Sequence, residues 1–413
     1  MAKKQIIIVC GEASGDLHAA NLARKILELD PEIRISAVGG PLLRQVADEI
    51  YYDIKGLSVM GLFDVLAKLP KFFRLKKLLL AKIESQKPEA IILVDFSGFN
   101  LRLAKAIAKK IPVIYYISPQ VWASRRGRIE TIKKYVHKMI VLFKFEEELY
   151  KSCGVDVEFA GHPLLDIVNP TLNKKDFLNK LGLEENKITI GLLPGSRKAE
   201  VNNLLPVMLK ACLLIAKSIP NIQLIIAKSA QLEEKIYNQK INLQLPRTKV
   251  RGLAEVDTEP TSSPALRPGF SGGECIKRLD LEVRIADGQT YDCLNAADFS
   301  LVCSGTATLE AAIIQKPFAV VYKMNLLNYL FYRPQVKIPC ISLANILAKR
   351  LIVPEFIQFK ARPKAIAQEV LSYIGSPEKI KIMESALGEI KPLLGDKGAS
   401  LRAAQIILKT IQK

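Results

Sequence analysis

The chain has 413 residues, 49% of them hydrophobic, and a formal net charge of +19 at pH 7. This length and apolar content allow a large buried core and favour two domains over a single long one. The strong positive charge predicts an anionic partner, but it does not choose among nucleic acid, a phosphorylated substrate and an anionic membrane surface.

Cysteine usage and the N-terminal segment exclude several protein classes. The seven cysteines are scattered and never form a Cys-x-x-Cys pair, which argues against a disulfide framework and against a zinc site. The apolar run at residues 5–10 is too short for a signal peptide, and no apolar stretch reaches the roughly 20 residues that span a bilayer. We therefore expect a cytoplasmic protein.

Apolar, β-branched runs alternate with helical segments along the chain. In chain order, the predicted strands are 5–10, 33–38, 90–94, 112–116, 138–143, 187–193, 222–227, 299–302 and 317–322. Continuous apolar strands separated by helices predict parallel sheets covered on both faces, the doubly wound α/β class. Because the pattern restarts near Lys187, we expect two Rossmann-like domains, 1–165 and 166–390. A helical segment at 391–413 follows, with packing back on the first domain as one alternative.

One segment, residues 248–280, breaks this pattern. Its Pro, Gly and Ser content resists both helix and strand, so we predict an exposed insertion that is longer than an ordinary connection. An active-site lid is one interpretation of such a loop. A tolerated insertion without a catalytic role is the preferred one.

In the first half, polar residues follow the predicted strands at the edge where doubly wound sheets bind ligands. Residues 11–18 (GEASGDLH) come after the first strand, and we expect the next helix to start near Leu17. Asp95 follows the third strand, where a carboxylate either accepts a proton from a substrate hydroxyl or caps a helix. The loop at 117–128 carries the only Trp and a basic cluster.

Two strand-to-helix turns in the second half predict phosphate binding. The turn at 194–197 opens a helix, leaves backbone N–H groups free and adds the Arg197 guanidinium. At 304–306, small hydroxyl residues again precede a helix, with Glu310 one turn later. Ordinary turn and capping chemistry is the alternative in both places.

Nine motifs, taken together and in this order, resemble those of the lipid-A-disaccharide synthases, a family of inverting glycosyltransferases with the two-domain GT-B fold. They are GEASGDLH at Gly11, SVMG at Ser58, DFSGFNLRLAK at Asp95, SPQVWA at Ser118, GHPLLD at Gly161, LPGSR at Leu193, SGTATLE at Ser304, SLANIL at Ser342 and VPEFIQ at Val353. The resemblance extends along the whole chain. It implies two Rossmann-like doubly wound domains with a cleft between them.

The resemblance also implies the reaction. UDP-2,3-diacylglucosamine would donate its sugar to 2,3-diacylglucosamine 1-phosphate, giving the β-1,6 disaccharide 1-phosphate and UDP, with no metal and no cofactor. Asp95 would be the general base, Arg197 would stabilise the leaving diphosphate, and Glu310 would hold the UDP ribose. The implied substrate-binding residues are Ser14, Gly15, Asp16, His162, Gly195, Ser196, Glu200, Ser304, Gly305, Thr306, Glu310, Asn345 and Gln358.

Three positions depart from the usual family pattern. Ser97 and Ala344 stand where relatives usually carry Pro, and Ser124 stands where they usually carry Trp. None of these changes removes a charged group from the implied chemistry. They put the local loop geometry and the contacts with acyl chains in question, and the segment at 248–280 is also expected to lie outside the family pattern.

Residues 66–82 contain six cations and no acid, interleaved with Leu and Phe. This pattern predicts an interfacial helix on an anionic membrane. The expected membrane contacts are Lys71, Phe72, Phe73, Arg74, Lys76 and Lys77. A core-facing helix with a solvated basic face is the alternative. A second apolar and basic stretch, 322–338, is a candidate to join this surface.

These observations favour a peripheral protein on the inner face of the cytoplasmic membrane, with no nucleic-acid partner and with a homodimer left open. One alternative is another UDP-sugar enzyme of the same fold, such as an epimerase. A basic nucleic-acid-binding protein is the alternative from another class, although the chain lacks a recognition helix and an RNP-like aromatic string.

Overall fold

The chain divides into two compact units in the computed structural model. The structure describes residues 4–55, 57, 62–107, 110–245, 250–252, 281–335 and 338–412. The first unit comprises Met1–Ile167, Leu326–Ile338 and Lys391–Lys413, and the second comprises Val168–Asn325 and Pro339–Ile390. Two of the segments discussed above, residues 58–61 and 253–280, lie outside the described residues.

Each unit is built on a seven-stranded parallel sheet. The strands of the first sheet are β1 (Gln5–Val9), β2 (Arg34–Gly39), β3 (Glu49–Asp53), β4 (Ala90–Val94), β5 (Val113–Tyr116), β6 (Lys138–Val141) and β7 (Val157–Phe159). The strands of the second sheet are β8 (Ile188–Leu193), β9 (Ile222–Lys228), β10 (Val250–Gly252), β11 (Glu282–Asp287), β12 (Phe299–Cys303), β13 (Phe318–Tyr322) and β14 (Glu355–Ile357).

Helices connect the strands. In the first half they are α1 (Ala13–Leu29), α2 (Pro41–Arg44), α3 (Leu62–Gln86), α4 (Ser97–Ile107), α5 (Arg128–Tyr135), α6 (Lys144–Ser152), α7 (Leu164–Ile167) and α8 (Lys174–Lys180). In the second half they are α9 (Lys198–Ser218), α10 (Glu234–Gln244), α11 (Thr290–Ala296), α12 (Thr306–Ile314), α13 (Leu326–Tyr332), α14 (Leu343–Ala348), α15 (Pro363–Ile374), α16 (Pro377–Gly388), α17 (Ile390–Leu393) and α18 (Ala399–Ile411). Two 3-10 turns are Arg333–Gln335 and Gln358–Lys360.

The strand order places one switch point in each sheet. Neighbouring strands run β3-β2-β1-β4-β5-β6-β7 in the first unit and β10-β11-β9-β8-β12-β13-β14 in the second. The chain order therefore reverses between β1 and β4, and again between β8 and β12. Ligands of doubly wound sheets bind beyond the carboxyl ends of the strands at such a point.

The prediction of a doubly wound α/β fold is confirmed. Strands β4, β5, β6, β9 and β12 are buried along their whole length, because helices cover both faces of a parallel sheet and leave no solvated face. All five are among the apolar runs that the sequence predicts as strands.

The expected start of the first helix near Leu17 is wrong, because α1 begins at Ala13. Its first turn lies against the end of β1, where a Cβ on the buried Gly15 would come within 3.3 Å of Cys10 Cβ. Small residues allow this close approach of helix and strand. They therefore belong to the helix and not to a loop before it.

Several strands were not predicted from the sequence. Strands β3, β7 and β14 are short and only partly buried, and Arg284 interrupts the apolar pattern of β11. The expectation that residues 248–280 resist strand structure is wrong for β10, which pairs in parallel with β11 from Val250 to Gly252. A three-residue edge strand carries too little pattern to be recognised.

Helix α9 is the one helix in the described part of the chain that is long and apolar enough to cross a membrane. It packs against α10 and α15 in the second unit, and its apolar face, including Leu204, Leu205 and Met208, is buried there. A buried core helix meets the same length and composition criteria.

Candidate functional site

The first candidate site lies at the switch point between β1 and β4. Asp95 and Phe96 follow β4 and have left-handed backbone angles, φ 47° and φ 44°. The Asp95 carbonyl oxygen accepts hydrogen bonds from Asn100 Nδ2, at 2.9 Å, and from the Tyr115 hydroxyl. Buried donors therefore hold this unusual turn and fix the backbone position of Asp95, whose side chain is half-buried.

Close packing joins this turn to the end of β1. A Cβ on Gly11 would overlap the Phe96 ring, so the glycine is needed for the contact. Phe96 also packs against Phe72 and Phe99, with ring centroids 5.8 and 5.6 Å away. Burial raises the pKa of the Cys10 thiol, and the nearby charges of Asp16 and Asp95 raise it further. The motifs at 11–18 and 95–100 are therefore adjacent.

The predicted acceptor-side residues 14–16 differ in what their side chains do. Ser14 is exposed and Gly15 is buried at the start of α1. Asp16 is 2% exposed, and its carboxylate accepts hydrogen bonds from the backbone N–H groups of Gly40, Leu42 and Leu43 at 2.7 to 3.2 Å. Asp16 therefore caps α2, and any role in binding acts through the position of that helix.

The predicted residue His162 pairs with His18 in the interior of the first unit. Their ring centroids are 6.4 Å apart, and His162 Nδ1 accepts the backbone N–H of Leu164. Burial lowers the pKa of His18 to about 4, and burial together with His18 lowers that of His162 to about 3. Both imidazoles are neutral at pH 7. The described residues contain no group of three or more potential metal-ligating side chains.

Ser97, which replaces the usual Pro, has a specific partner. Its hydroxyl accepts a hydrogen bond from Arg128 Nη1 at 2.8 Å, which a proline side chain could not accept. This bond ties the start of α4 to the start of α5. Of the other two departures, Ser124 is half-buried and Ala344 is fully buried in α14.

The second candidate site lies between the carboxyl ends of β8 and β12. At the turn after β8, Glu200 accepts the backbone N–H groups of Ser196 and Arg197 at 3.0 and 3.2 Å, and the Arg197 guanidinium at 3.1 Å. A Cβ on Gly195, at φ 111°, would overlap the Glu200 carboxylate. The expectation that this turn leaves its N–H groups free is wrong, because the chain's own carboxylate caps α9.

The turn after β12 is open instead. Gly305 is exposed with φ 141°, and a Cβ there would contact no atom within 4 Å. No side chain caps α12, so the positive end of the helix dipole faces outward. Ser304 Oγ donates to the carbonyl of Ile341 at 3.3 Å, and Thr306 begins the helix half-buried.

The two turns are near each other because they follow adjacent strands, in which Val302 of β12 pairs with Leu193 of β8. Besides burial, the Glu200 charge raises the pKa of the Cys303 thiol at the end of β12, and Arg197 lowers it. Of the two predicted phosphate sites, α12 therefore supplies the open helix N-terminus, and Arg197 supplies a guanidinium that is held by Glu200.

Glu310 lies on the second turn of α12 and is largely buried. Burial raises the pKa of its carboxyl to about 7. Burial also raises the pKa of the nearby Tyr291 phenol, and the Glu310 charge adds to that rise. Among the residues that the structure describes, no hydrogen bond to this carboxyl is found. A ligand hydroxyl that donates to it would replace the lost solvation.

Asn345 and Gln358 have both ends of their amides occupied. Asn345 donates to the Val353 carbonyl and to Glu355, and accepts the backbone N–H groups of Ile352 and Val353. Gln358 exchanges two hydrogen bonds of 3.1 Å with the backbone of Met324. Asn345 supports Glu355, which accepts the backbone N–H groups of Ile341 and Ser342, whereas Gln358 holds the turn after β13. The influence of both amides on a ligand is therefore indirect.

The predicted membrane residues lie on α3 in the first unit. This helix buries Leu75, Leu79 and Ile83, spaced four residues apart. Lys71, Phe73, Arg74 and Lys77 are exposed, and Lys76 and Phe72 are half-buried. Phe72 belongs to the ring cluster with Phe96 and Phe99. The helix therefore has a core-facing stripe and a basic outer face at the same time.

Sequence reasoning missed residues that hold the sites in place. Asn100 lies within the motif at 95–100, so its spacing of five residues from Asp95 in the sequence is a usable signal for this contact. Tyr115 is one apolar strand residue among several, and Glu355 is one charge in a short strand. Neither of these two has a signal in a single sequence.

The chain matches known proteins over nearly its whole length. The family model described as Lipid-A-disaccharide synthetase matches residues 6–254 and 262–409. The lipid-A-disaccharide synthase of Syntrophus aciditrophicus (strain SB) is 39% identical over 414 residues, which cover 100% of this chain and 99% of the relative. That of Geobacter sulfurreducens is 35% identical over 410 residues, covering 99% and 98%.

The same match corrects the expectation that residues 248–280 lie outside the family pattern. Only residues 255–261 fall between the two matched ranges, so most of this segment belongs to the family pattern. Its composition alone had suggested an insertion.

Solved structures with the same fold share little sequence with the chain. The complex of S. aureus MnaA with UDP has a TM-score of 0.62 at 13% identity, covering 99% of this chain and 97% of that one. UDP-GlcNAc 2-epimerase from Neisseria meningitidis, bound to UDP-GlcNAc, has a TM-score of 0.58 at 15% identity, covering 99% of both. MurG from Acinetobacter baumannii has a TM-score of 0.53 at 14% identity, covering 98% and 99%. The fold is GT-B.

Proposed function

Because the chain belongs to the lipid-A-disaccharide synthase family and is a glycosyltransferase of lipid A biosynthesis, we propose that its donor is UDP-2,3-diacylglucosamine. The proposed acceptor is 2,3-diacylglucosamine 1-phosphate. The products are then the β-1,6-linked disaccharide 1-phosphate and UDP. The observation that supports this most directly is the open N-terminus of α12 beside Arg197.

In the proposed donor site, the diphosphate lies at Gly305, where the exposed backbone and the helix dipole favour an anion. Arg197, held by Glu200 at 3.1 Å, stabilises the negative charge that develops on the departing UDP. The Glu310 carboxyl accepts hydrogen bonds from the ribose hydroxyls. This assignment is supported by the burial of the carboxyl and by the lack of any hydrogen bond to it within the described part of the chain.

In the proposed acceptor site, Asp95 is the general base. The acceptor 6-hydroxyl attacks the anomeric carbon of the donor from the side opposite UDP, the bond between that carbon and the phosphate oxygen breaks, and the hydroxyl proton passes to Asp95. Such an attack inverts the anomeric configuration. The fixed turn around Asp95 supports this role, because a base must be held in place to accept a proton efficiently.

We also propose that the protein binds the inner face of the cytoplasmic membrane. Its first unit carries the basic face of α3 and also α13, on which Leu326, Leu327, Leu330 and Phe331 are 49%, 64%, 59% and 46% exposed. Large apolar side chains beside cations are typical of surfaces that enter lipid headgroups. Acylated substrates are found in such a membrane.

The experiment that tests the reaction is transfer in detergent from the proposed donor to the proposed acceptor, followed by mass spectrometry and NMR of the product. A disaccharide monophosphate with a β-1,6 linkage supports the proposal. Folded protein that binds UDP but forms no disaccharide would refute it. Release of a free 2-epimer from the donor would instead favour the epimerase alternative.

The membrane proposal is tested by sedimentation with vesicles that contain anionic phospholipid. Replacing Lys71, Arg74, Lys76 and Lys77 by Ser removes four positive charges, each worth about 1 kcal/mol at an anionic surface, so we expect binding to fall by at least tenfold. The matched control replaces four lysines of the second unit by Ser, namely Lys175, Lys180, Lys210 and Lys217. An equal loss in both variants would show that only net charge matters.

A further inference from the structure

Trp122 is the only tryptophan of the chain, and it lies in the loop that follows β5 in the first unit. This loop ends at Arg128, whose guanidinium donates to Ser97 Oγ at 2.8 Å. Ser97 lies two residues after Asp95 in the chain. In β5, the strand that leads into the loop, the Tyr115 hydroxyl donates to the Asp95 carbonyl. The loop that carries Trp122 is therefore tied to the proposed catalytic turn.

A row of aromatic rings runs along this edge of the sheet. The Trp122 ring meets Phe145 edge-on, with centroids 5.4 Å apart. Phe145 stacks on Phe143 at 5.6 Å, and Phe143 contacts His162 at 5.3 Å. Phe143 and His162 are buried, whereas Trp122 and Phe145 are half-buried. The inner end of the row is part of the core, and its outer end presents ring surface to solvent.

Glu146 fixes the orientation of Trp122. Its carboxylate oxygen Oε1 accepts hydrogen bonds from Trp122 Nε1 at 3.0 Å and from Ser118 Oγ at 2.8 Å. The glutamate is 3% exposed, and burial raises its pKa to about 7. On the same helix, the Tyr150 hydroxyl donates to the Pro119 carbonyl at 3.2 Å. Helix α6 therefore holds the loop at three points.

Because Glu146 takes the indole N–H, the exposed part of Trp122 has no hydrogen bond to offer. Phe145 has none either. Sites for polar ligands combine ring surface with well-placed donors and acceptors, whereas a hydrocarbon chain needs only apolar area. The ring pair therefore suits a fatty acyl chain better than a sugar ring. Its place in the same unit as Asp95 puts it on the acceptor side.

On the basis of the proposed function, we propose that Trp122 and Phe145 form a contact surface for an acyl chain of the acceptor lipid. Glu146 is the positioning residue that holds Trp122 in this surface. Neither role follows from the family match, which assigns no residue.

The single tryptophan makes the first experiment direct. The probe is diacylglucosamine 1-phosphate with a brominated acyl chain, because bromine quenches a tryptophan only at short range. We expect this lipid to quench Trp122 emission and the same lipid without bromine to reverse the quenching. Water-soluble glucosamine 1-phosphate should leave the emission unchanged. Absence of quenching under conditions where the wild-type protein forms disaccharide would overturn the inference and leave the proposed function intact.

Brominated detergent distinguishes a substrate contact from a membrane contact. If it quenches Trp122 and the acceptor lipid does not compete, the tryptophan faces the lipid phase and the inference is wrong. If acceptor quenching is seen in protein that forms no disaccharide, the acyl contact stands and the proposed reaction fails. The two proposals therefore fail in different measurements.

Kinetics test the two roles separately. Trp122→Ala and Phe145→Ala should each raise the acceptor KM about tenfold, which corresponds to about 1.4 kcal/mol, with kcat changed less than threefold. Glu146→Leu should raise the acceptor KM to a similar extent, because the indole loses its partner. Glu146→Gln retains a carbonyl oxygen and should restore most of the affinity.

The matched control is Glu148→Gln, an exposed glutamate on the same helix, which should behave as wild type. An unchanged acceptor KM in both ring variants would overturn the contact surface. A Glu146→Leu variant with wild-type KM and an unshifted Trp122 emission maximum would overturn the positioning role.

Discussion

Asp95 and Phe96 are consecutive residues with left-handed backbone angles, φ 47° and φ 44°, and each such angle costs on the order of 1 to 3 kcal/mol for a residue other than glycine. Asn100 and Tyr115 hold the turn by hydrogen bonds to the Asp95 carbonyl. The fold therefore maintains a backbone geometry that fixes one carboxylate at the end of β4.

We expect Asp95→Asn to lower kcat by two to four orders of magnitude, since a positioned general base contributes about 10²- to 10⁴-fold. Asparagine keeps the size of the side chain and tolerates a left-handed backbone, so folding and UDP affinity should be unchanged. Turnover, calorimetric UDP titration and thermal melting check the three expectations. Wild-type turnover would remove Asp95 from the chemistry.

At the other site, Glu200 organises the turn that carries Arg197. We expect Glu200→Gln to lower turnover by about one order of magnitude. Arg197→Ala deletes the donor itself and should cost more, roughly 10²- to 10³-fold. The physical reason is that glutamine keeps one acceptor oxygen but loses the charge that pairs with the guanidinium.

Steady-state kinetics with both variants measure this difference. Glu233→Gln is the matched control, because Glu233 occupies the N-cap position of α10 in the same unit and makes no capping bond. Equal turnover of Glu200→Gln and Glu233→Gln would contradict the positioning role.

At this scale the sequence identifies motifs but not partners. The strings around Asp95, Arg197 and Gly305 point to the turns where the sites are found. Glu200 accepts the N–H groups of its own turn only in one side-chain rotamer. A single sequence carries no signal for that rotamer. The same holds for the internal hydrogen bonds of Asp16 and Asn345.

Among the elements, α9 and α12 follow neighbouring strands, yet their N-termini differ. Glu200 caps the first, whereas the N-cap residue of α12 is the exposed Gly305 and no side chain caps this helix. A helix N-terminus binds an anion only where its N–H groups are accessible. The second element is therefore the proposed diphosphate site.

We expect Gly305→Ala to raise the Kd for UDP at least tenfold, because φ 141° is a region that only glycine adopts without strain. The turn must rearrange, and the new Cβ stands where the diphosphate would approach. Gly288→Ala is the control, since Gly288 is also exposed in the second unit, with φ 67° and open space around it. Calorimetric UDP titration of both variants decides whether strain alone explains the loss.

Element prediction succeeded where burial was complete on both faces of the sheet. The apolar runs of β4 and β8 are found within one or two residues of their ends. Strand β11 was missed because Arg284 sits in it and donates to the carbonyls of Leu181 and Gly182, so its charge is satisfied by distant residues. Long-range contacts of this kind override local pattern.

Acid should destabilise the molecule as a whole through the buried His18 and His162. Their pKa values are about 4 and about 3, below the ordinary 6.5, so the folded state binds fewer protons than the unfolded chain. This contribution to stability is complete above pH 6.5 and is lost as the pH falls toward 4 and 3. Glu146 and Glu310, with pKa values raised to about 7, act in the opposite direction between pH 4.5 and 7.

Melting temperatures measured from pH 7 to pH 4 test this balance. We expect His162→Gln to lose less melting temperature on acidification than wild type, because one neutral buried imidazole is gone while the two carboxyls are unchanged. His137→Gln controls for removal of a histidine outside this pair. Parallel pH profiles for wild type and His162→Gln would show that the pair does not report on folding.

The first unit is assembled from segments at both ends of the chain, and this has a consequence for synthesis of the protein. Helix α18 packs against α1 and buries Ala403, Ala404 and Ile407, yet residues 391–413 are translated after the whole second unit. In a ribosome-bound chain, the part of α1 that α18 covers therefore has no partner until translation is nearly finished. The unit that starts first is completed last, and during that interval its uncovered apolar surface is open to aggregation.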